Sequence, residues 1–237
     1  MADDPSMGKA SSAPPSDHRA GHRDRVRQRF MDGGADALHD YELVEMLLFL
    51  VIPRRNVKPL AKDLIARFGG LAGVLRAEPD QLRAAGLSTG AVASVKMVQV
   101  AALKLLEADV TARPVVSNWH ALLDYCRASM GHDPVERTRV LFLDRKNRLI
   151  ADEVQQTGTV DHTPLYPREI IKRALDLHAS AIILVHNHPS GDPAPSRADI
   201  DMTRQVLDAG EKLGVHLHDH VIVTRNEHAS FKALGLI

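Results

Sequence analysis

Apolar positions recur at helical spacing through the first half of the chain. Val26 and Phe30 stand four apart. Asp40 can cap the run Tyr41–Leu50, which Pro53 ends. Val57 to Phe68 repeats the amphipathic pattern and stops at Gly69-Gly70. Two short segments, Leu71–Leu75 and Asp80–Ala85, lead through Gly86-Leu-Ser-Thr-Gly90 into an unbroken helix from Ala91 to Leu106. These spacings predict a small all-helical domain over residues 19–110. Thr111-Ala-Arg-Pro-Val115 reads as a linker, and after it the period changes. Ser117 or Asn118 can cap a helix from Trp119 to Ser129. Arg139–Leu143 and Arg148–Val154 read as two strands joined by the turn Asp144–Asn147. Pro167 opens a helix over Arg168–His178. Ala181–Val185 is wholly apolar and of strand length, the mark of a strand buried on both faces. A helix over Asp199–Leu213 and a strand over His216–Thr224 complete the pattern. Helices alternating with strands give an α/β domain, a sheet layered with helices, over residues 115–237.

Composition narrows the class. Residues 1–18 are polar and rich in Pro, Ser and Ala, so they are expected to be a disordered tail. No basic segment precedes an apolar one at the N-terminus, so no secretory signal is expected. The most apolar windows, Leu43–Ile52 and Ala181–Val185, fall far short of the ~20 residues a membrane-spanning helix needs. A cytoplasmic protein without membrane contact is the expectation. Formal net charge is zero, yet residues 19–113 carry fifteen Lys and Arg against eleven Asp and Glu. The excess crowds at Arg19, Arg23, Arg25, Arg27 and Arg29. Such a segment is a phosphate-contacting patch or, more simply, a solvated helix face. Thirteen histidines accompany a single cysteine, Cys126. A disulfide within the chain and a cysteine-based zinc finger are excluded, so any metal is held by imidazole and carboxylate.

One segment gathers those ligand types. His186 and His188 follow directly on the buried strand, and side chains two apart on a strand point to one side. A loop stiffened by Pro189, Pro193 and Pro195 then returns the chain to Ser196-Arg-Ala-Asp199 at a helix start. Two histidines and one aspartate make a three-ligand site. Zinc held in that way keeps a position for water and lowers its pKa toward ~7. A nearby carboxylate is then wanted as general base. Glu153 is the candidate, because its strand face carries Leu149 and Ala151 and a carboxylate there needs a partner. Read alone, Ser196-x-x-Asp199 is a helix-capping pattern. A second group, His216-Leu-His-Asp-His220, also alternates imidazoles. Asp219 and His220 could belong to a second metal site, but no loop and helix return follows them, which favours a structural role.

His186-x-His188-Pro-x6-Ser196-x-x-Asp199 with an upstream Glu153 resembles the JAMM motif of JAB/MPN-type metalloproteases. Thr157-Gly-Thr-Val160, Pro167-Arg-Glu-Ile170, His186-Asn-His-Pro-Ser-Gly-Asp192 and Asp219-His-Val-Ile222 are similar to the RadC family within that superfamily. The resemblance implies an MPN fold, a mixed sheet flanked by helices and similar in layout to cytidine deaminases. It also implies Zn2+ on His186, His188 and Asp199, Glu153 as general acid/base, and Ser196 as a stabiliser of the oxyanion. The expected activity is hydrolysis of peptide or isopeptide amide bonds in a peptide or protein substrate. RadC relatives often carry a helix-hairpin-helix-like region near the N-terminus. Here Gln81–Ala93 resembles one, with Ser88 in place of the second hairpin glycine and Ile52-Pro-Arg-Arg-Asn-Val57 in place of a glycine-containing turn. The alternative function is therefore a DNA-associated accessory protein that contacts phosphate through residues 19–100, with the MPN domain as a metal-binding scaffold. Cys126 alone does not supply the Pro-Cys-x-x-Cys of a zinc deaminase.

Overall fold

The computed structural model describes residues 21–157 and 166–237. The expected tail over residues 1–18 lies outside the described residues, as does the Thr157-Gly-Thr-Val160 motif from Gly158 onward. The chain divides into two compact units, residues 1–98 and 99–237. The division falls within a helix rather than in the Thr111–Val115 segment.

The first unit is helical: α1 (His22–Gly33), α2 (Asp40–Phe49), α3 (Lys58–Phe68), α4 (Leu71–Arg76), α5 (Pro79–Ala84) and the first turns of α6 (Thr89–Thr111). Val26, Val44, Leu48, Leu64, Val74, Leu82 and Val95 form its core. Burying each such side chain contributes about 1.5–3 kcal/mol. His39, not Asp40, occupies the N-cap of α2, where Glu42 accepts from the His39 backbone N–H. The Asp40 carboxylate instead accepts from Leu71 N–H at 2.7 Å, tying α2 to the start of α4. Much of the arginine cluster is engaged within the unit. Arg23 donates to the carbonyls of Ile52 and Arg55, Arg27 pairs with Asp24, and Arg29 pairs with Glu42 at 2.7 Å. Gly86 has φ +93° in the α5–α6 turn, a conformation that glycine adopts without strain.

At twenty-three residues, α6 is longer than its apolar pattern suggests. By length and composition it is apolar enough to cross a membrane, which the reading of shorter apolar windows overlooked. Ala91, Val92 and Val95 near its start are buried in the helical core and Val110 near its end in the core of the second unit, while Met97, Val98, Val100 and Leu105 between them are exposed.

The second unit is a five-stranded mixed sheet in the order β2-β1-β3-β4-β5: β1 (Arg137–Leu143), β2 (Leu149–Thr157), β3 (Ala181–Asn187), β4 (His216–Val223) and β5 (His228–Ser230). β1 is antiparallel to both β2 and β3, and β3 runs parallel to β4. Among the described residues, the helices α7 (Trp119–Met130), α8 (Pro167–Asp176) and α9 (Arg197–Lys212) pack with this sheet. Strand alternation splits the core in two. Leu141, Leu143, Ile183, Val185, Val221 and Val223 pack with α7. Val140, Phe142, Ile182 and Leu184 pack with Ile170, Ile171 and Ala174 of α8 and Val206 of α9. All seven residues of β3 are buried, as its apolar run requires.

The α9 helix crosses over between the parallel strands β3 and β4, and its close approach to the start of β4 depends on Gly210. A Cβ there would lie 2.4 Å from the Val215 carbonyl oxygen and 3.5 Å from the Ile171 side chain. Val215 N–H also donates to Gly210 O at 2.9 Å. Gly210→Ala is expected to destabilise the protein by about 1–3 kcal/mol, as overpacking of a tight contact does, read as a lower urea midpoint.

Candidate metal centre

Strand parity places the histidines. Leu184 faces α8 and α9, so His186, two residues on, emerges on that same side where β3 ends. His186 is buried at 1% exposure. His188 lies just past the strand, and its backbone N–H still bonds Val223 O at 3.0 Å, which extends the ladder to β4. Their Nε2 atoms stand 2.9 Å apart. The rigid loop holds the second ring: His188 Nδ1 lies 2.8 Å from the Asp192 carbonyl oxygen. A carbonyl only accepts, so Nδ1 carries the proton and Nε2 of the neutral ring presents a lone pair.

Asp199 closes the set. Its carboxylate oxygens lie 3.5 Å from His186 Nε2 and 3.7 Å from His188 Nε2. The capping pattern and the ligand pattern coexist. Ser196 is the N-cap of α9: its Oγ accepts from Asp199 N–H at 3.1 Å, and Asp199 Oδ2 accepts from Ser196 N–H at 2.7 Å. The cap therefore orients the carboxylate toward the imidazoles. Burial works against ionisation of Asp199, but the adjacent His188 and His186 imidazoles and the bond from Ser196 N–H outweigh it and hold its carboxyl well below the usual range. Burial pushes His186 down to about 4, so its ring is neutral near pH 7. The Asp199 carboxylate pushes His188 up. Two imidazole nitrogens and a carboxylate directed at one point form a donor set that a divalent cation fits.

A fourth group joins them, and it is not Glu153. Among the described residues, the one group of His, Cys, Asp or Glu side chains close enough to share an ion is Glu136, His186, His188 and Asp199. Their ligand atoms all lie within 4.8 Å of one another. Glu136 immediately precedes β1. The β1–β3 register pairs Thr138 with His186; continued two residues, it sets position 136 across from 188. Asn187, fully buried between the two histidines, fastens that segment. Its Oδ1 accepts from Arg137 N–H at 2.8 Å, and its Nδ2 donates to the Val135 and Asp133 carbonyls at 3.1 and 3.3 Å.

Glu153 faces the same side of the sheet, but on β2, with β1 between it and β3. Two strand spacings of ~4.8 Å set it roughly 10 Å to the side of β3. The partner its apolar surroundings demand is Arg173 of α8, which donates to the carboxylate from Nε at 2.9 Å and from Nη2 at 2.6 Å. That bond holds the Glu153 carboxyl below its usual range. Glu153, expected beside the metal ligands, is thus set apart from the His186, His188 and Asp199 group, and the carboxylate that stands with them is Glu136. The members of the second histidine group have partners within the fold. Asp219 accepts from His220 N–H, Lys232 N–H and the Ser230 hydroxyl. His218 bonds Asn147 at 2.6 Å, and the His220 ring lies 2.7 Å from His186 Nδ1.

Comparison with known proteins agrees with this architecture. Residues 116–236 match the family model for the RadC-like JAB domain. A UPF0758 protein of Rhodobacter capsulatus is 55% identical over 213 residues, covering 90% of this chain and all of the relative. A mixed sheet flanked by helices, a preceding helical region and a His/Asp/Glu group able to hold a metal ion together fit a metal-dependent hydrolase fold, and the chain belongs to the RadC family of JAB-domain proteins.

Proposed function

We propose that the protein is a zinc-dependent hydrolase of peptide or isopeptide amide bonds. The observation that carries this reading is the convergence of Glu136, His186, His188 and Asp199 at the C-terminal end of β3. His186, His188 and Asp199 would hold the ion, a set of three protein ligands that leaves a place for water. Zinc bound there supplies Lewis acidity, which brings the pKa of water toward ~7 and polarises a carbonyl. Glu136, the exposed member of the group, takes the proton from the attacking water and delivers it to the leaving nitrogen. The Ser196 hydroxyl, at the start of α9 beside Asp199, donates to the oxygen that gains charge as the carbonyl becomes tetrahedral. It is free to do so because in the cap it accepts from Asp199 N–H and keeps its own proton.

The alternative of DNA contact through residues 19–100 has less behind it, since Arg23, Arg27 and Arg29 engage partners inside the helical unit. A peptide-library digest tests the leading reading. Cleavage is expected from the purified protein, lost on treatment with a chelator and restored by Zn2+. Cleavage that persists after chelation would contradict it.

A further inference from the structure

We propose that Thr203 and His220 form a one-way hydrogen-bond relay that fixes the tautomer of His186, so that its Nε2 lone pair faces the metal position before any ion arrives. The proposal deepens the metal reading above and rests on it.

The direction of the relay follows from counting protons. The Asp199 main-chain oxygen can only accept, and the Thr203 hydroxyl, one helical turn later in α9, donates to it at 2.5 Å. A hydroxyl has one hydrogen. Toward His220 Nδ1, 2.6 Å away, Thr203 Oγ1 is therefore an acceptor, and His220 Nδ1 must carry the proton. His220 is fully buried, and a buried imidazolium without a carboxylate on its ring is costly. The ring is neutral and its Nε2 is bare. That bare nitrogen lies 2.7 Å from His186 Nδ1, so His186 holds its proton on Nδ1. The His186 ring is buried as well, and its single proton is now placed. Nε2 is left with a lone pair directed toward His188 and Asp199.

The surroundings hold each member in place. The His220 ring stacks on Phe231, centroids 4.4 Å apart and planes 25° from parallel. Leu184 and His220 are register partners in the β3–β4 ladder, which sets the His220 ring one step back from His186 on the same face. Asp199 stands at both ends: its carbonyl starts the relay and its carboxylate flanks the nitrogen the relay exposes. A histidine ligand commonly donates its second N–H to a carboxylate, carbonyl or water; here the acceptor is a second histidine, oriented from behind by a threonine. Thr203 and His220 are positioning residues that act through His186.

Thr203→Val keeps the shape and removes the acceptor, so His220 can move its proton to Nε2 and drive the His186 proton onto the metal-facing nitrogen. Zn2+ affinity, read by competition with a chromophoric chelator, is expected to fall about 10–100-fold. In the metal-free protein, 15N–1H spectra of the imidazoles should show one His186 tautomer, with Nδ1 protonated, in the wild type and a mixture in Thr203→Val. His220→Gln can accept from His186 through Oε1 and donate to Thr203 through Nε2, so its affinity should stay within about threefold of wild type, while His220→Leu loses as much as Thr203→Val. A merely structural role would move neither the tautomer nor the Gln/Leu difference. Wild-type binding of Zn2+ with unchanged affinity and tautomer in Thr203→Val, or equal losses in His220→Gln and His220→Leu, would overturn the relay alone. Failure of the wild type to bind Zn2+ would overturn the metal reading, and the relay with it.

Discussion

Glu136→Gln is expected to keep its metal and to lose turnover by about 10²–10⁴-fold, the usual contribution of a positioned general acid/base. Glutamine retains the size and hydrogen-bonding reach of glutamate but no longer accepts a proton. The ion in the proposed mechanism rests on His186, His188 and Asp199, so metal content should stay at the wild-type value. Glu153→Gln is the informative contrast. That carboxylate is engaged by the Arg173 guanidinium on α8, and its loss should leave turnover within about twofold of wild type. The pair is partly exposed, and such ion pairs are worth ~1 kcal/mol or less, so stability should barely change. Rates of cleavage of one library-derived peptide by the two variants, compared at equal metal loading, check both statements. Loss of turnover in Glu153→Gln with none in Glu136→Gln would return the role to β2.

His188→Ala carries the second large effect. It removes one of three protein ligands and also the ring bond to the Asp192 carbonyl that steadies the loop. Affinity for Zn2+ should fall by more than the ~100-fold that losing a partner behind a ligand costs. Asp199→Asn separates ligation from folding. Asparagine can still accept from Ser196 N–H, so the α9 cap should survive and the unfolding midpoint should stay close to wild type, whereas outright loss of a cap costs ~1 kcal/mol. It lacks the anionic charge, so metal affinity should fall sharply. Chelator competition and thermal unfolding of the metal-free proteins give the two readouts. Full metal retention in His188→Ala would remove His188 from the ligand set.

Much of this site was legible in the chain. The run Ala181–Val185 identified a buried strand, parity placed His186 and His188 together, and three prolines with Ser196-x-x-Asp199 marked a rigid return to a helix start. Each of those inferences uses residues close in sequence. Glu136, the proposed base, was missed because its place depends on strand order. Beginning the first strand at Arg139 left Glu136 in an unassigned stretch. Only the antiparallel pairing of β1 with β3 brings the beginning of one strand beside the end of the other. Glu153 satisfied the local argument, an acid on an apolar face, but Arg173 lies on α8, and no local spacing shows that pairing. A sequence signal did exist: an acid directly before a strand that can pair antiparallel with the His-x-His strand.

The same division holds elsewhere. Periodicity located the helices of the first unit, but the N-cap of α2 fell on His39 because Asp40 is drawn to Leu71 N–H, thirty-one positions away. The α6 helix ran past the expected end at Leu106 to Thr111, where the expected linker begins, since Val110 is buried in the second core. His220 carried no decisive local signal, because the groups that give it meaning, His186, Thr203 and Phe231, come from three other segments.

The central claim is that His186, His188 and Asp199 hold a divalent ion, and elemental analysis tests it most directly. Protein purified without chelators or a metal-affinity step, then exchanged into metal-free buffer, is predicted to carry close to one zinc per chain, and Asp199→Asn prepared alongside it close to none. Wild-type protein without stoichiometric metal, and unable to take up Zn2+ on titration, would contradict the account.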